Sequence, residues 1–212
     1  MKRYSVLIAD DHDIVIEGLR RVLDQPEIEV VGSVRDGVAL LQAVEELRPD
    51  VVITDVTMPL LNGIDAARSI LRLNPKARIV FLTMHPDVGY ATAALSLGSC
   101  GYVLKSSAAD ELMDAIHAVV RGETYVTPRI AGAVIEQLRK PKSDLPHIEM
   151  TARERQILQL IAEGRTFKEI ATILNISPRT VEFHRNKIAE KTGFRTTAEL
   201  ARYAVRIGIL DR

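Results

Sequence analysis

The residues of this 212-residue chain whose types and spacing suggest chemistry are Asp10, Asp11, Asp55, Thr83 and Lys105. Asp10 and Asp11 follow the apolar run Tyr4–Ala9, and Asp55 follows Val51–Thr54. Thr83 closes the run Arg78–Thr83, and Lys105 follows Gly101–Leu104. If these runs are neighbouring parallel strands, all five side chains meet at the carboxyl end of one sheet, where such sheets bind ligands. Three carboxylates gathered there repel one another by several kcal/mol at an intermediate dielectric, so the cluster requires a cation. An all-oxygen donor set favours Mg²⁺. With one carboxylate to attack phosphorus and a hydroxyl and an ammonium to hold phosphoryl oxygens, the set suits phosphoryl transfer to Asp55.

A phosphatase of the haloacid-dehalogenase type also places an Asp at a strand end, but it needs a second Asp two residues later as general acid. Here that position is Thr57. Without the acid, slow self-dephosphorylation is expected, not turnover of external phosphate esters, so the chain does not read as an enzyme. A pure scaffold, with a site that never titrates, is the other competing class.

The elements that must position these residues follow from periodicity. Strands are predicted at Tyr4–Ala9, Ile28–Val34, Val51–Thr54, Arg78–Thr83 and Gly101–Leu104, several of them continuous apolar runs suited to a sheet covered on both faces. Amphipathic stretches at roughly 14–23, 37–47, 63–73, 87–97 and 108–121 alternate with them. The prediction is α/β: a doubly wound, five-stranded parallel sheet of the flavodoxin type over 1–122. Residues 123–148 read as a linker containing one helix at about 128–139, with Thr127 as N-cap and Pro128 at its first position. Lys140–Pro146, with two prolines, marks the boundary. From 149 to 212 the pattern is all-α, a small four-helix domain. Thr151/Glu154, Thr166/Glu169 and Thr196/Glu199 read as capping boxes, and Ser177-Pro178 opens the remaining helix.

Bulk composition agrees with two unlike halves. The total of 28 basic and 28 acidic residues gives no net charge. Split near residue 140, however, the first part carries −4 and the second +4, a division expected of a regulatory part and a nucleic-acid-binding part. The single Cys100 allows no intramolecular disulfide and reads as a small buried residue, and Met58 reads as packing. His12, His85, His117 and His147 show no ligand spacing. No apolar run approaches a membrane span or a signal peptide, so a cytoplasmic location without membrane contact is expected.

Residues 1–122 resemble the receiver domain of two-component response regulators. The match lies in Ala9-Asp10-Asp11-His12, the run Asp55-Val-Thr-Met-Pro59 with Asn62-Gly63, Thr83, and Gly101-Tyr-Val-Leu-Lys105. The resemblance implies that Asp55 is the phospho-acceptor and that Asp10, Asp11, Asp55 and the backbone carbonyl of Thr57 bind Mg²⁺. It further implies that Lys105 pairs with the phosphoryl group and that Thr83 relays its arrival to Tyr102, which turns inward. Ser106 stands where many receivers have proline.

The segment Thr151–Leu210 resembles the LuxR-type helix-turn-helix module through Thr151-Ala-Arg-Glu-Arg155, Ala162-Glu-Gly164, Lys168-Glu-Ile170, Ile176-Ser-Pro-Arg-Thr-Val181, His184, Lys187-Ile188 and Lys191-Thr-Gly193. Together the halves resemble a response regulator of the NarL/FixJ class. The recognition helix is expected at about Pro178–Thr192, with Val181, His184, Ile188 and Thr192 inward and Arg179, Glu182, Phe183 and Asn186 outward. That outer face would enter the major groove, with Asn186 suited to adenine, Glu182 to cytosine N4 and Phe183 to a thymine methyl as the candidates for base readout, while Thr166, Thr180, Arg185, Lys187 and Lys191 would hold phosphates. The last helix, with Leu200, Tyr203, Ala204 and Ile207 in one stripe, reads as a dimer surface. The partners implied are a cognate histidine kinase, double-stranded DNA with paired half-sites, a second copy when active, and RNA polymerase. The resemblance also implies that the unphosphorylated receiver masks the DNA-binding helix.

Overall fold

The structure is a computed structural model that describes residues 3–84, 86–139 and 150–210. The chain divides into two compact units, Met1–Pro141 and Lys142–Arg212. The predicted boundary segment Lys140–Pro146, together with His85 and His147, lies outside the described residues.

In the first unit the sheet runs in the order β2-β1-β3-β4-β5-β6, and every neighbouring pair is parallel. Its strands are β1 (Tyr4–Ala9), β2 (Ile28–Val34), β3 (Val51–Asp55), β4 (Arg78–Thr83), β5 (Gly101–Leu104) and β6 (Tyr125–Val126). The helices between them are α1 (Asp13–Val22), α2 (Gly37–Leu47), α3 (Gly63–Leu73), α4 (Val88–Leu95) and α5 (Ala108–Val120). Alternate strand residues feed two cores. Leu7, Val52, Ile79, Phe81 and Tyr102 pack with Leu40, Ile64, Ile70 and Tyr90 on the face of α2, α3 and α4. Val6, Ile8, Ile53, Val80, Leu82 and Val103 pack with Ile16, Leu19, Leu112 and Ile116 on the face of α1 and α5. Burial on both faces is why these strands read as continuous apolar runs.

The sheet has six strands where the sequence predicts five. Tyr125 and Val126 pair with Gly101 and Tyr102 at the edge of β5, and α6 (Pro128–Arg139) buries Ile130 and Val134 in the core that contains Tyr90 and Tyr102. Residues 125–139, read from sequence as part of a linker, are thus part of the first unit. The Thr127 hydroxyl, expected to cap α6, accepts from the Leu104 N–H at 3.1 Å and donates to Glu111 at 2.7 Å. Thr127 itself is fully buried.

The second unit consists of α7 (Ala152–Ala162), α8 (Phe167–Ile173), α9 (Pro178–Thr192) and α10 (Thr197–Arg206). All three predicted capping boxes form, and Ser177 caps α9 with Pro178 in its first turn. The turn from α8 to α9 passes through Asn175 in the left-handed region (φ 50°), which Asn tolerates. Ile157, Leu158, Leu160, Ile170, Val181, Ile188, Leu200, Tyr203 and Ala204 form the buried interior.

Candidate functional site

The carboxyl ends of β1, β3 and β5 bring the acidic residues and Lys105 together. Asp10 leaves β1 with its N–H bonded to the Val34 carbonyl (3.1 Å), Asp55 ends β3, and Lys105 follows β5 in a 3₁₀ turn, Lys105–Ser107. Lys105 Nζ lies 2.7 Å from Asp55 Oδ2 and 2.7 Å from Asp10 Oδ2. Asp10 is fully buried and the Lys105 side chain is 6% exposed. Asp55 Oδ1 accepts from the Thr57 N–H at 3.4 Å and Asp10 Oδ1 from the His12 N–H at 3.0 Å. Ligand atoms of Asp10, Asp11, His12 and Asp55 all lie within 4.8 Å of one another.

The turn after Asp55 is tightly built. The Asp55 carbonyl accepts from the Thr54 hydroxyl at 3.0 Å, and the Gly63 N–H donates to the Val56 carbonyl at 2.9 Å. A Cβ at Gly63 would lie 1.9 Å from the Asp55 carbonyl oxygen, so this approach excludes any side chain. Asn62 caps α3 by accepting from the Asp65 N–H (2.9 Å) while its amide donates to the Asp65 carboxylate (2.9 Å). Asp65 also pairs with Arg68.

Burial pushes the Asp55 carboxyl up to about 6; Lys105 opposes this and the Asp10 charge adds to it. Burial pulls Lys105 down, but the two carboxylates outweigh it and hold the ammonium above its ordinary value. Asp10 Oδ2 is buried against Lys105 Nζ. Two carboxylates on one ammonium, with Asp11 beside them, leave negative charge in the pocket and fit a hard divalent cation. The sequence reading missed His12: its Nδ1 lies 2.9 Å from Asp11 Oδ1 and 3.3 Å from Asp10 Oδ1. Adjacency to Asp11 was the signal available for it.

Thr83 ends β4 and is buried. Tyr102 is already fully inward in this structure, with its hydroxyl beside the Thr83 side chain. Burial raises its phenol above the ordinary value, and the neighbouring Thr83 side chain opposes that. Cys100 and Met58 are buried as expected, with burial pushing the Cys100 thiol up to about 12. His117 bonds Glu27 at 2.8 Å.

In the second unit, α9 turns Val181 and Ile188 fully inward, with His184 and Thr192 half-buried. Arg179, Glu182, Phe183, Asn186 and Lys187 are exposed on the opposite side, and Phe183, at 56% exposure, carries Lys187 Nζ 5.8 Å above its ring. Thr166 and Thr180 sit at the starts of α8 and α9; the Thr166 hydroxyl bonds Glu169 (2.7 Å) and the Thr180 hydroxyl bonds Ser177 (2.8 Å). Arg185 donates to Asn186 Oδ1 at 3.2 Å and to the Arg195 carbonyl. Lys191 is bonded to Glu154 of α7 at 2.6 Å. The α10 stripe expected to form a dimer surface faces inward instead: Leu200, Tyr203 and Ala204 are buried, Ile207 is half-buried, and α10 packs on α7. An apolar stripe has the same spacing whether it meets its own domain or a second copy.

A parallel sheet with an acidic pocket and a lysine at its strand ends, followed by a helix-turn-helix unit, defines a signalling regulator of two parts. Residues 6–117 match the response regulator receiver domain and residues 149–204 match the bacterial regulatory proteins of the luxR family. The chain is 38% identical over 211 residues to the transcriptional regulatory protein MctR of Rhizobium johnstonii, covering 99% of this chain and 97% of that protein. It is 39% identical over 203 residues to the transcriptional regulatory protein LiaR of Bacillus subtilis, covering 95% and 96%. Among solved structures, the RcsB response regulator of Salmonella typhimurium superposes with a TM-score of 0.64 at 31% identity, covering 98% of this chain and 99% of that one. A structure of two RcsB dimers bound to two parallel DNAs matches with a TM-score of 0.61 at 31% identity, covering 97% and 100%. The chain belongs to the response regulators, with a receiver domain and a LuxR-type DNA-binding domain. Among the described residues no helix is long and apolar enough to cross a membrane.

Proposed function

We propose that phosphorylation of Asp55 controls sequence-specific binding of this regulator to double-stranded DNA. The receiver reading covers 1–122 and the DNA-binding reading 149–212. The observation that carries the proposal is the placement of Lys105 Nζ 2.7 Å from both Asp55 and Asp10, beside an otherwise oxygen-rich pocket. An ionised Asp55 oxygen attacks the phosphorus of a histidine kinase phosphohistidine, or of acetyl phosphate. The bond from phosphorus to the donor breaks, and the donor leaves with its electron pair. Asp10, Asp11, Asp55 and the Thr57 carbonyl would hold Mg²⁺, which supplies neutralisation of the phosphoryl charge when bound. Lys105 then shifts from the carboxylates to a phosphoryl oxygen, and the Thr83 hydroxyl donates to another. That movement of Thr83 changes what the buried Tyr102 hydroxyl meets, biasing a two-state surface near β4 and β5.

On the DNA side, the exposed row Arg179, Glu182, Phe183 and Asn186 suits the major groove. Thr166, Thr180, Arg185 and Lys187 suit phosphates on either side of it. A homodimer on paired half-sites, phosphorylation by a cognate kinase, an action through RNA polymerase and a cytoplasmic setting complete the reading. It is tested by incubating the chain with Mg²⁺ and acetyl phosphate. An acid-stable, base-labile adduct is expected that Asp55→Asn abolishes and that strengthens binding to duplexes selected from random DNA. An adduct that persists in Asp55→Asn would sink the assignment.

A further inference from the structure

Lys191 differs from the other basic residues of α9 in what its charge already does. Lys187 is exposed and pairs with the exposed Glu190, at 3.2 Å. Lys191 instead reaches across to α7, placing Nζ 2.6 Å from Oε2 of Glu154. Glu154 is 4% exposed, and the same carboxylate accepts from the Thr151 N–H at 2.8 Å to close the capping box that starts α7. Burial raises its carboxyl, but the bonds from Lys191 and Thr151 outweigh burial and hold it below the ordinary value.

A lysine bound in this way cannot go to a phosphate without leaving a buried carboxylate unpaired, which is costly. It therefore does not release a DNA counterion as a free surface lysine does. Its position gives it a different use. Lys191 sits in the last turn of α9, and α7 packs against both α9 and α10. The bond to Glu154 fixes the tilt of α9 against α7, and tilt decides which base edges Asn186 and Phe183 can reach. We propose that Lys191 is a positioning residue for DNA recognition, clamping the end of α9 to α7 through Glu154, and not a phosphate contact. This rests on the reading of α9 as the DNA-entering helix.

The test uses the full chain, treated with Mg²⁺ and acetyl phosphate, on a duplex selected from random DNA and on an unrelated duplex, across a range of salt. Lys191→Met and Glu154→Gln should each weaken binding to the selected duplex by about tenfold. The salt slope and the affinity for the unrelated duplex should stay as in the wild type, and the double variant should be no worse than either single one. Lys191→Arg should restore selected-duplex binding. Loss at both duplexes in parallel would show general loss of folding and overturn the proposal; thermal melts of Glu154→Gln and Lys191→Arg keep it testable if Lys191→Met does not fold. A salt slope lower by about 0.9 in Lys191→Met would make Lys191 a phosphate contact. Tighter binding of Glu154→Gln to the selected duplex, as simple removal of a negative charge predicts, would also overturn it. A wild-type chain with no salt-dependent DNA binding would overturn the reading of α9 itself, and this inference with it.

Discussion

Asp55 and Lys105 face each other across β4 from the ends of β3 and β5, with Nζ 2.7 Å from Oδ2. The same ammonium lies 2.7 Å from Asp10 Oδ2, so one lysine is shared by two buried carboxylates. Without metal, the carboxyl of Asp55 lies near 6 because burial outweighs Lys105.

Mg²⁺ affinity should therefore depend on pH with a defined sign. The cation binds the ionised carboxylate, so affinity should climb about tenfold per pH unit from 5 to 6 and level off above 7, with proton release on binding near pH 6. Because the folded value is raised above the ordinary 3.8, protonation favours the metal-free fold, and stability should fall as pH rises from 3.8 to about 6. Calorimetry in buffers of different ionisation enthalpy checks the first point. Affinity that stays flat between pH 5 and 7.5 would rule out Asp55 as a titrating ligand.

Thr127→Val should destabilise the first unit by about 2 kcal/mol, because it leaves the Leu104 N–H and a Glu111 oxygen without their bonds to the hydroxyl. Thr127→Ser keeps the hydroxyl and should cost much less. Urea denaturation of both variants settles whether the hydroxyl or only the side-chain volume matters.

Gly63→Ala should cost about 3 kcal/mol or more and should suppress the acetyl-phosphate adduct, since the new Cβ would lie 1.9 Å from the Asp55 carbonyl oxygen. A variant with wild-type melting and normal adduct formation would show that the turn after β3 gives way more easily than its packing implies.

The exposed face of α9 should divide by role. Asn186→Ala should relax preference at one base pair, by about 1–3 kcal/mol, with little change in salt slope. Lys187→Ala should weaken binding at every sequence and lower the slope by about 0.9. Equal, sequence-independent losses from both would contradict the division.

Most of the fold was legible because its signals are local. Continuous apolar runs marked β1 and β3 to β5, and Thr-x-x-Glu boxes placed the starts of α7, α8 and α10. The acidic site was legible because each of its residues lies at a strand end. What escaped depended on tertiary neighbours. Tyr125–Val126 is too short for a two-residue period to show, and although Thr127 stands just before α6 as expected, its hydroxyl bonds to the Leu104 N–H and to Glu111 of α5. Spacing on α9 put Lys191 among basic residues, but only packing reveals Glu154 as its partner. The α10 stripe was found correctly and given the wrong neighbour, since periodicity reports that a face is apolar and not what covers it.

The sixth strand also bears on where this protein can be cut. The match to the receiver family stops at residue 117, yet the Cys100 and Tyr102 carbonyls are met by the N–H groups of Tyr125 and Thr127. Excision at 122 would strip the outer edge of β5, orphan two carbonyls and the Leu104 N–H, and uncover the core beneath Ile130 and Val134. A fragment or a chimaera made with a relative keeps both its sheet and the core under α6 whole only if the joint falls after Arg139, so the seam between interchangeable parts lies some twenty residues beyond the end of the family match.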